Sequence, residues 1–100
     1  MKTRAAERLG ELRLQIDALN DAFVALVSQR ALVAGAIAEL KREGGLDLHD
    51  PQRERDMLAS LLASNPGPMS NELLGHLLGE LFRTSRTHMA DATTRQRATG

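Results

Sequence analysis

The sequence predicts an all-α fold: three helices per subunit, one of them a very long N-terminal helix, in an intertwined homodimer. Three observations carry this prediction. Apolar residues recur at heptad spacing from Leu9 to Leu40. Strong helix-ending signals stand at Gly44-Gly45 and at Asn65-Pro66-Gly67-Pro68. No segment alternates with the period of two that a half-buried strand requires.

The first helix is expected from about Ala5 to about Glu43. Positions 9, 16, 23, 30 and 37 hold Leu9, Ile16, Phe23, Arg30 and Ile37. The interleaved set is Leu12, Leu19, Leu26, Val33 and Leu40. Together they form an a/d seam on one face. No proline interrupts it, and Gly10 and Gly35 are its weak points. Such a helix is roughly 55 Å long, whereas a compact domain of this size has a radius of gyration of about 13 Å. The rest of the chain cannot cover the rod, so the seam calls for a second copy.

Leu46-Asp47-Leu48-His49 reads as a short loop. Asp50 is the N-cap and Pro51 the first residue of a second helix ending near Ala63. Met57, Leu58, Leu61 and Leu62 face inward on it. Ser70 caps a third helix with an apolar face of Leu74, Leu77, Leu78, Leu81 and Phe82, continuing through Ser85 to Met89. From about Asp91 the composition turns polar. Residues 1–90 thus form one domain, and 91–100 read as a disordered tail.

Composition removes several function classes. With 42% hydrophobic residues a packed core is possible, but with two aromatics it must be aliphatic. Stacking platforms for single-stranded nucleic acid are therefore missing. Thirteen basic and thirteen acidic residues cancel, which argues against general nucleic-acid coating. The absence of cysteine removes disulfides, thiolate nucleophiles and zinc-thiolate sites. The N-terminus shows no signal-peptide run, and no stretch reads as long enough to span a bilayer. A soluble cytoplasmic protein is expected.

The informative residues are charged ones on apolar faces. Arg30 is the only charged member of the seam. A guanidinium there costs several kcal/mol unless an anion meets it. Either an acidic side chain neutralises it or the seam forms a pocket for an anionic ligand. Lys41 lies only about 20° from Arg30 around the helix axis and roughly 16 Å along it. Arg13 lies about 100° round and roughly 25 Å away, too far to serve the same small ligand easily within one subunit, but in an antiparallel or crossed dimer the partner's Arg13 can reach that region. Two Arg and a Lys so gathered suit a small dianion: Arg forks a carboxylate, and Lys supplies a movable charge. His49, His76 and His88 are scattered without ligand spacing, so they read as structural, with no metal and no cofactor expected.

The chain resembles the all-helical (AroQ-class) chorismate mutase family over roughly residues 9–89. The carrying residues are Leu12-Arg13-x-x-Ile16-Asp17-x-Leu19, then Leu26-x-x-x-Arg30-x-x-Val33, then Ile37-Ala38-x-x-Lys41. The strongest motif is Asp50-Pro51-x-Arg53-Glu54, followed by Leu58. Asn65-x-Gly67-Pro68 and Glu80-Leu81-Phe82 complete it. The resemblance implies an intertwined dimer whose active sites each draw on both subunits. It implies that Arg13 of the partner and Arg30 bind the substrate's two carboxylates. Lys41 then contacts a carboxylate and the ether oxygen of the breaking bond, and Glu54 accepts from the ring hydroxyl. The Asp50 region closes over the ring, Arg53 lines the same pocket, and Ser85 hydrogen-bonds a carboxylate. Lys41, Glu54 and Arg30 are thus the implied catalytic residues.

One position departs from the family. The glutamine that usually donates to the ether oxygen falls on Met89, and a thioether donates no hydrogen bond. His88 points about 100° away on an ideal helix. The implied reaction, chorismate to prephenate in aromatic amino-acid biosynthesis, is a unimolecular [3,3] rearrangement needing no nucleophile or metal. With Met89 the isolated mutase is expected to be slow, and a DAHP synthase of the same pathway is a candidate activating partner. Two enzymatic alternatives remain: a mutase for 4-amino-4-deoxychorismate and an isochorismate pyruvate-lyase. A non-catalytic helical dimerisation or regulatory module is the third.

Overall fold

In a computed structural model the chain forms α1 (Lys2–Glu43), α2 (Pro51–Ala63) and α3 (Asn71–Thr99), and no strand occurs among the described residues. The structure describes the backbone of residues 2–99 and the side chains of residues 3–91. It divides into two compact units, Met1–Leu32 and Val33–Gly100.

The first unit is a single run of α1. Its seam faces solvent: Leu9, Leu12, Ile16, Leu19, Phe23 and Leu26 are 42–64% exposed. Local pairs such as Arg8 with Glu11, at 3.0 Å, add only about 0.2–0.5 kcal/mol each. An apolar strip of this length is not a stable water-facing surface, and it marks an interaction face.

The second unit begins with the last turns of α1. Helix α1 ends where the glycine pair predicts, and its cap is a Schellman motif. Gly45 takes φ +67°. Its N–H donates to the Arg42 carbonyl at 3.2 Å, and the Leu46 N–H donates to the Lys41 carbonyl at 2.7 Å. Lys41 and Arg42 sit in the last turn, where cations complement the helix dipole. Asp50 caps α2: its Oδ1 accepts the Arg53 N–H at 3.0 Å, and Pro51 follows at the first helical position.

Helix α2 packs on α3. A Cβ placed on Gly75 would lie 3.8 Å from the Leu62 side chain, an ordinary contact distance. Ala38 and Phe82 are the buried hydrophobic residues among those described, and Leu48, Met57, Leu58, Leu62, Leu74, Leu78 and Leu81 are half-buried. Leu61 and Leu77, expected to face inward, are about half exposed instead. Each lies on the edge of an apolar stripe wider than one neighbouring helix covers.

The α2–α3 connection is held by Asn65. Its Nδ2 donates to the Met69 carbonyl at 2.8 Å and to Asn71 Oδ1 at 2.7 Å, while its Oδ1 accepts the Gly67 N–H at 2.9 Å. The Gly67–Pro68 bond is cis, and Gly67 takes φ +73°. Ser70 caps α3, its Oγ accepting the Leu73 N–H at 3.2 Å. On the outer face of α3, Arg83 donates to Glu80; that hydrogen bond, then the carboxylate's charge, raise its pKa.

Two expectations change here. The α3 backbone continues past Met89 to Thr99, because residues 90–99 contain no Gly or Pro to stop it. The apolar pattern marked where burial ends, not where the helix ends. The side chains of the expected tail from residue 92 onward lie outside the described residues. Secondly, α1 does contain a stretch long and apolar enough to cross a membrane by length and composition, with a mean hydropathy of 1.5. The seam and the small residues between its members (Ala31, Ala34, Gly35, Ala38) produce that value together. A helix that hides a long seam against another helix passes the same test as a span.

Candidate active site

The turn between α1 and α2 carries the candidate site. The Schellman cap turns the chain back beside Lys41, and the Lys41 Nζ donates to the Leu48 carbonyl at 3.5 Å. His49 follows, and its Nε2 lies 4.0 Å from Glu54 Oε2. Glu54 stands one turn into α2, its N–H donating to the Asp50 carbonyl at 3.2 Å. The Asp50 cap thereby fixes the first turn that presents Glu54. Asp50 itself is exposed, with its carboxylate directed at the helix N-terminus.

Glu54 is not alone. Its Oε1 accepts from Arg86 Nη1 on α3, 32 positions further along the chain. The Glu54 side chain is 23% exposed and that of Arg86 37%. A partly desolvated, charge-assisted pair of this kind is stronger than a surface one. The sequence reading missed Arg86. Its signal was the one used for Arg30: a guanidinium on an apolar stripe, four residues after Phe82 and three before Met89.

A cleft of about 370 Å³ opens over this pair, lined by His49, Glu54, Arg55, Leu58, Phe82 and Arg86 among others. That volume lies within the range of small-molecule sites. Among the described residues, Glu54 is the one site residue named from sequence on this lining. The guanidinium that lines it from α2 belongs to Arg55, which donates to Gln52 at 2.9 Å, while Arg53 is exposed and stands outside this lining. Ser85 and Met89 are half-buried on α3, flanking Arg86 along the helix. Arg13 and Arg30 belong to the first unit, Arg13 exposed and Arg30 half-buried.

The second unit therefore gathers Lys41, His49, Glu54 and Arg86 around one turn and one cleft. The family model for chorismate mutase type II matches residues 12–90. The chain belongs to this family. Among solved structures, it is similar to chorismate mutase from Thermus thermophilus in two crystal forms. Form I shares 40% identity with a TM-score of 0.77, covering 78% of this chain and 98% of that one. Form II shares 37% identity with a TM-score of 0.81, covering 83% and 94%. A bifunctional chorismate mutase/prephenate dehydratase of Aquifex aeolicus (strain VF5) is 34% identical over 80 residues, 76% of this chain. The chain spans 22% of the length of that curated relative.

Proposed function

We propose that the protein is a chorismate mutase, converting chorismate to prephenate, an isomerase of aromatic amino-acid biosynthesis acting in the cytoplasm. The supporting observation is a type II family match across residues 12–90 in a chain that retains Arg13, Arg30, Lys41, Arg53 and Glu54 in order. The reaction breaks one C–O bond and forms one C–C bond within a single molecule. No proton is transferred, and no covalent intermediate forms. The protein's work is to hold a flexible dicarboxylate in its folded conformer and to meet the charge that develops on the ether oxygen.

In this reading Arg30 and the partner subunit's Arg13 fork the two carboxylates. Lys41 contacts a carboxylate and the ether oxygen; its bond to the Leu48 carbonyl, at 3.5 Å, is long enough to yield. Glu54 accepts from the ring hydroxyl through Oε2, since Oε1 already holds Arg86. Ser85 adds a carboxylate contact, and Arg53 and the Asp50 turn border the ring. The exposed α1 seam supports an intertwined homodimer with shared sites, because a second seam is the surface that matches it.

Following chorismate loss with purified protein and identifying the product tests this reading. Prephenate is expected; persistent chorismate or released pyruvate overturns it. Arg30→Ala should abolish turnover with the helical fold intact. Light scattering should give twice the chain mass of 10.9 kDa. Met89 leaves the ether oxygen one donor short, which supports a DAHP synthase as an activating partner. Adding that enzyme should raise the rate, and an unchanged rate removes the partner.

A further inference from the structure

The cleft beside Glu54 holds more positive than negative charge. Arg55 and Arg86 carry guanidinium charges, and Glu54 is the one carboxylate among its described lining residues. His49, 4.0 Å from Glu54 Oε2, adds a third cation whenever it is protonated. The Arg86 guanidinium is already bonded to Glu54 Oε1. Leu58 and Phe82 form apolar parts of the same lining, and the Glu54 side chain is only 23% exposed.

We infer that Arg86, through its ion pair with Glu54, makes this site select a ring hydroxyl over a ring ammonium. The inference rests on the mutase reading and deepens it. A neutral hydroxyl needs only a lone pair, and Glu54 Oε2 supplies one without disturbing Arg86. An ammonium needs net negative charge, and Arg86 has cancelled it. An ammonium there also faces the Arg86 guanidinium as a like charge, which disfavours it in a partly desolvated cleft. Arg86 is thus a positioning residue that acts through Glu54 on substrate choice. A glutamate without such a partner would accept either ring group.

The test compares chorismate with 4-amino-4-deoxychorismate in the full chain. It uses the wild type, R86Q and R86K, with R86M as a second neutral variant should R86Q fold poorly. The readout is the ratio of kcat/KM for the two compounds, which is insensitive to the fraction folded because both sample the same molecules. Wild type and R86K should prefer the hydroxyl compound. The neutral variants should shift the ratio toward the amino compound at least tenfold. A ratio unchanged by R86Q and R86M, with wild type active on chorismate, overturns the inference and leaves the mutase reading standing. Wild type inert on chorismate overturns the mutase reading. Calorimetric affinities for the two compounds then give the ratio without turnover. Failure to bind either one overturns both.

Discussion

Replacing Asp50 separates a helix-capping carboxylate from a substrate-contacting one. Its Oδ1 accepts the Arg53 N–H at 3.0 Å, the bond that satisfies an orphan donor at the start of α2. Removing such a cap costs about 1 kcal/mol. The carboxylate's charge near the helix N-terminus adds about 0.3–1 kcal/mol at an exposed site. D50A loses both contributions, about 1–2 kcal/mol together. Each kcal/mol lowers the Tm of a domain this size by about 4–8 °C. D50N keeps the hydrogen bond and loses only the charge, so its Tm should fall by no more than about half as much. Glu54 hangs on the same turn, through its N–H to the Asp50 carbonyl at 3.2 Å. D50A should therefore also lower kcat/KM, and D50N should largely retain it. Circular dichroism melts at one fixed protein concentration, with turnover assays alongside, read both effects. Equal destabilisation by D50N and D50A would refute the capping argument. A stable but inactive D50N would show that the carboxylate itself meets the substrate.

Other outcomes follow from the same geometry. Met89→Gln restores a donor on α3; if that donor acts like one of an oxyanion hole, worth about 2.7–4 kcal/mol, kcat should rise about a hundredfold or more. A flat or lower kcat would mean that residue 89 does not face the ether oxygen. Gly45→Ala forces a Cβ into φ +67° and should destabilise by about 1–2 kcal/mol, seen in urea melts with an unchanged m-value. Leu26→Glu puts a charge in the middle of the seam and should halve the mass found by light scattering. A dimer that survives it would exclude the seam as the interface.

Much of this molecule was legible from short-range chemistry. Gly45, Asp50 and Ser70 end or begin helices through bonds spanning three to five residues, so sequence spacing located them closely. The three-helix order and the family followed from such signals. Arg86 was not legible in the same way, because its partner Glu54 lies 32 residues earlier and only the α2–α3 packing joins them. Leu61 and Leu77 illustrate a second limit. An apolar stripe says that a face wants cover, but not which part of it one neighbour reaches. The end of α3 shows a third: polarity ends packing, while only Gly, Pro or a cap ends a helix.

The turn after Lys41 has almost no slack. One end is locked where the Leu46 N–H returns to the Lys41 carbonyl, and the other where Asp50 grips the start of α2. Lys41 itself reaches the span between these locks through its long bond to the Leu48 carbonyl. The gap between an ammonium on one helix and a carboxylate on the next is thus gauged by a handful of residues. Adding or deleting even one between Leu46 and His49 would retune that gap, so the stretch behaves less like a connecting loop than like a spacer cut to length.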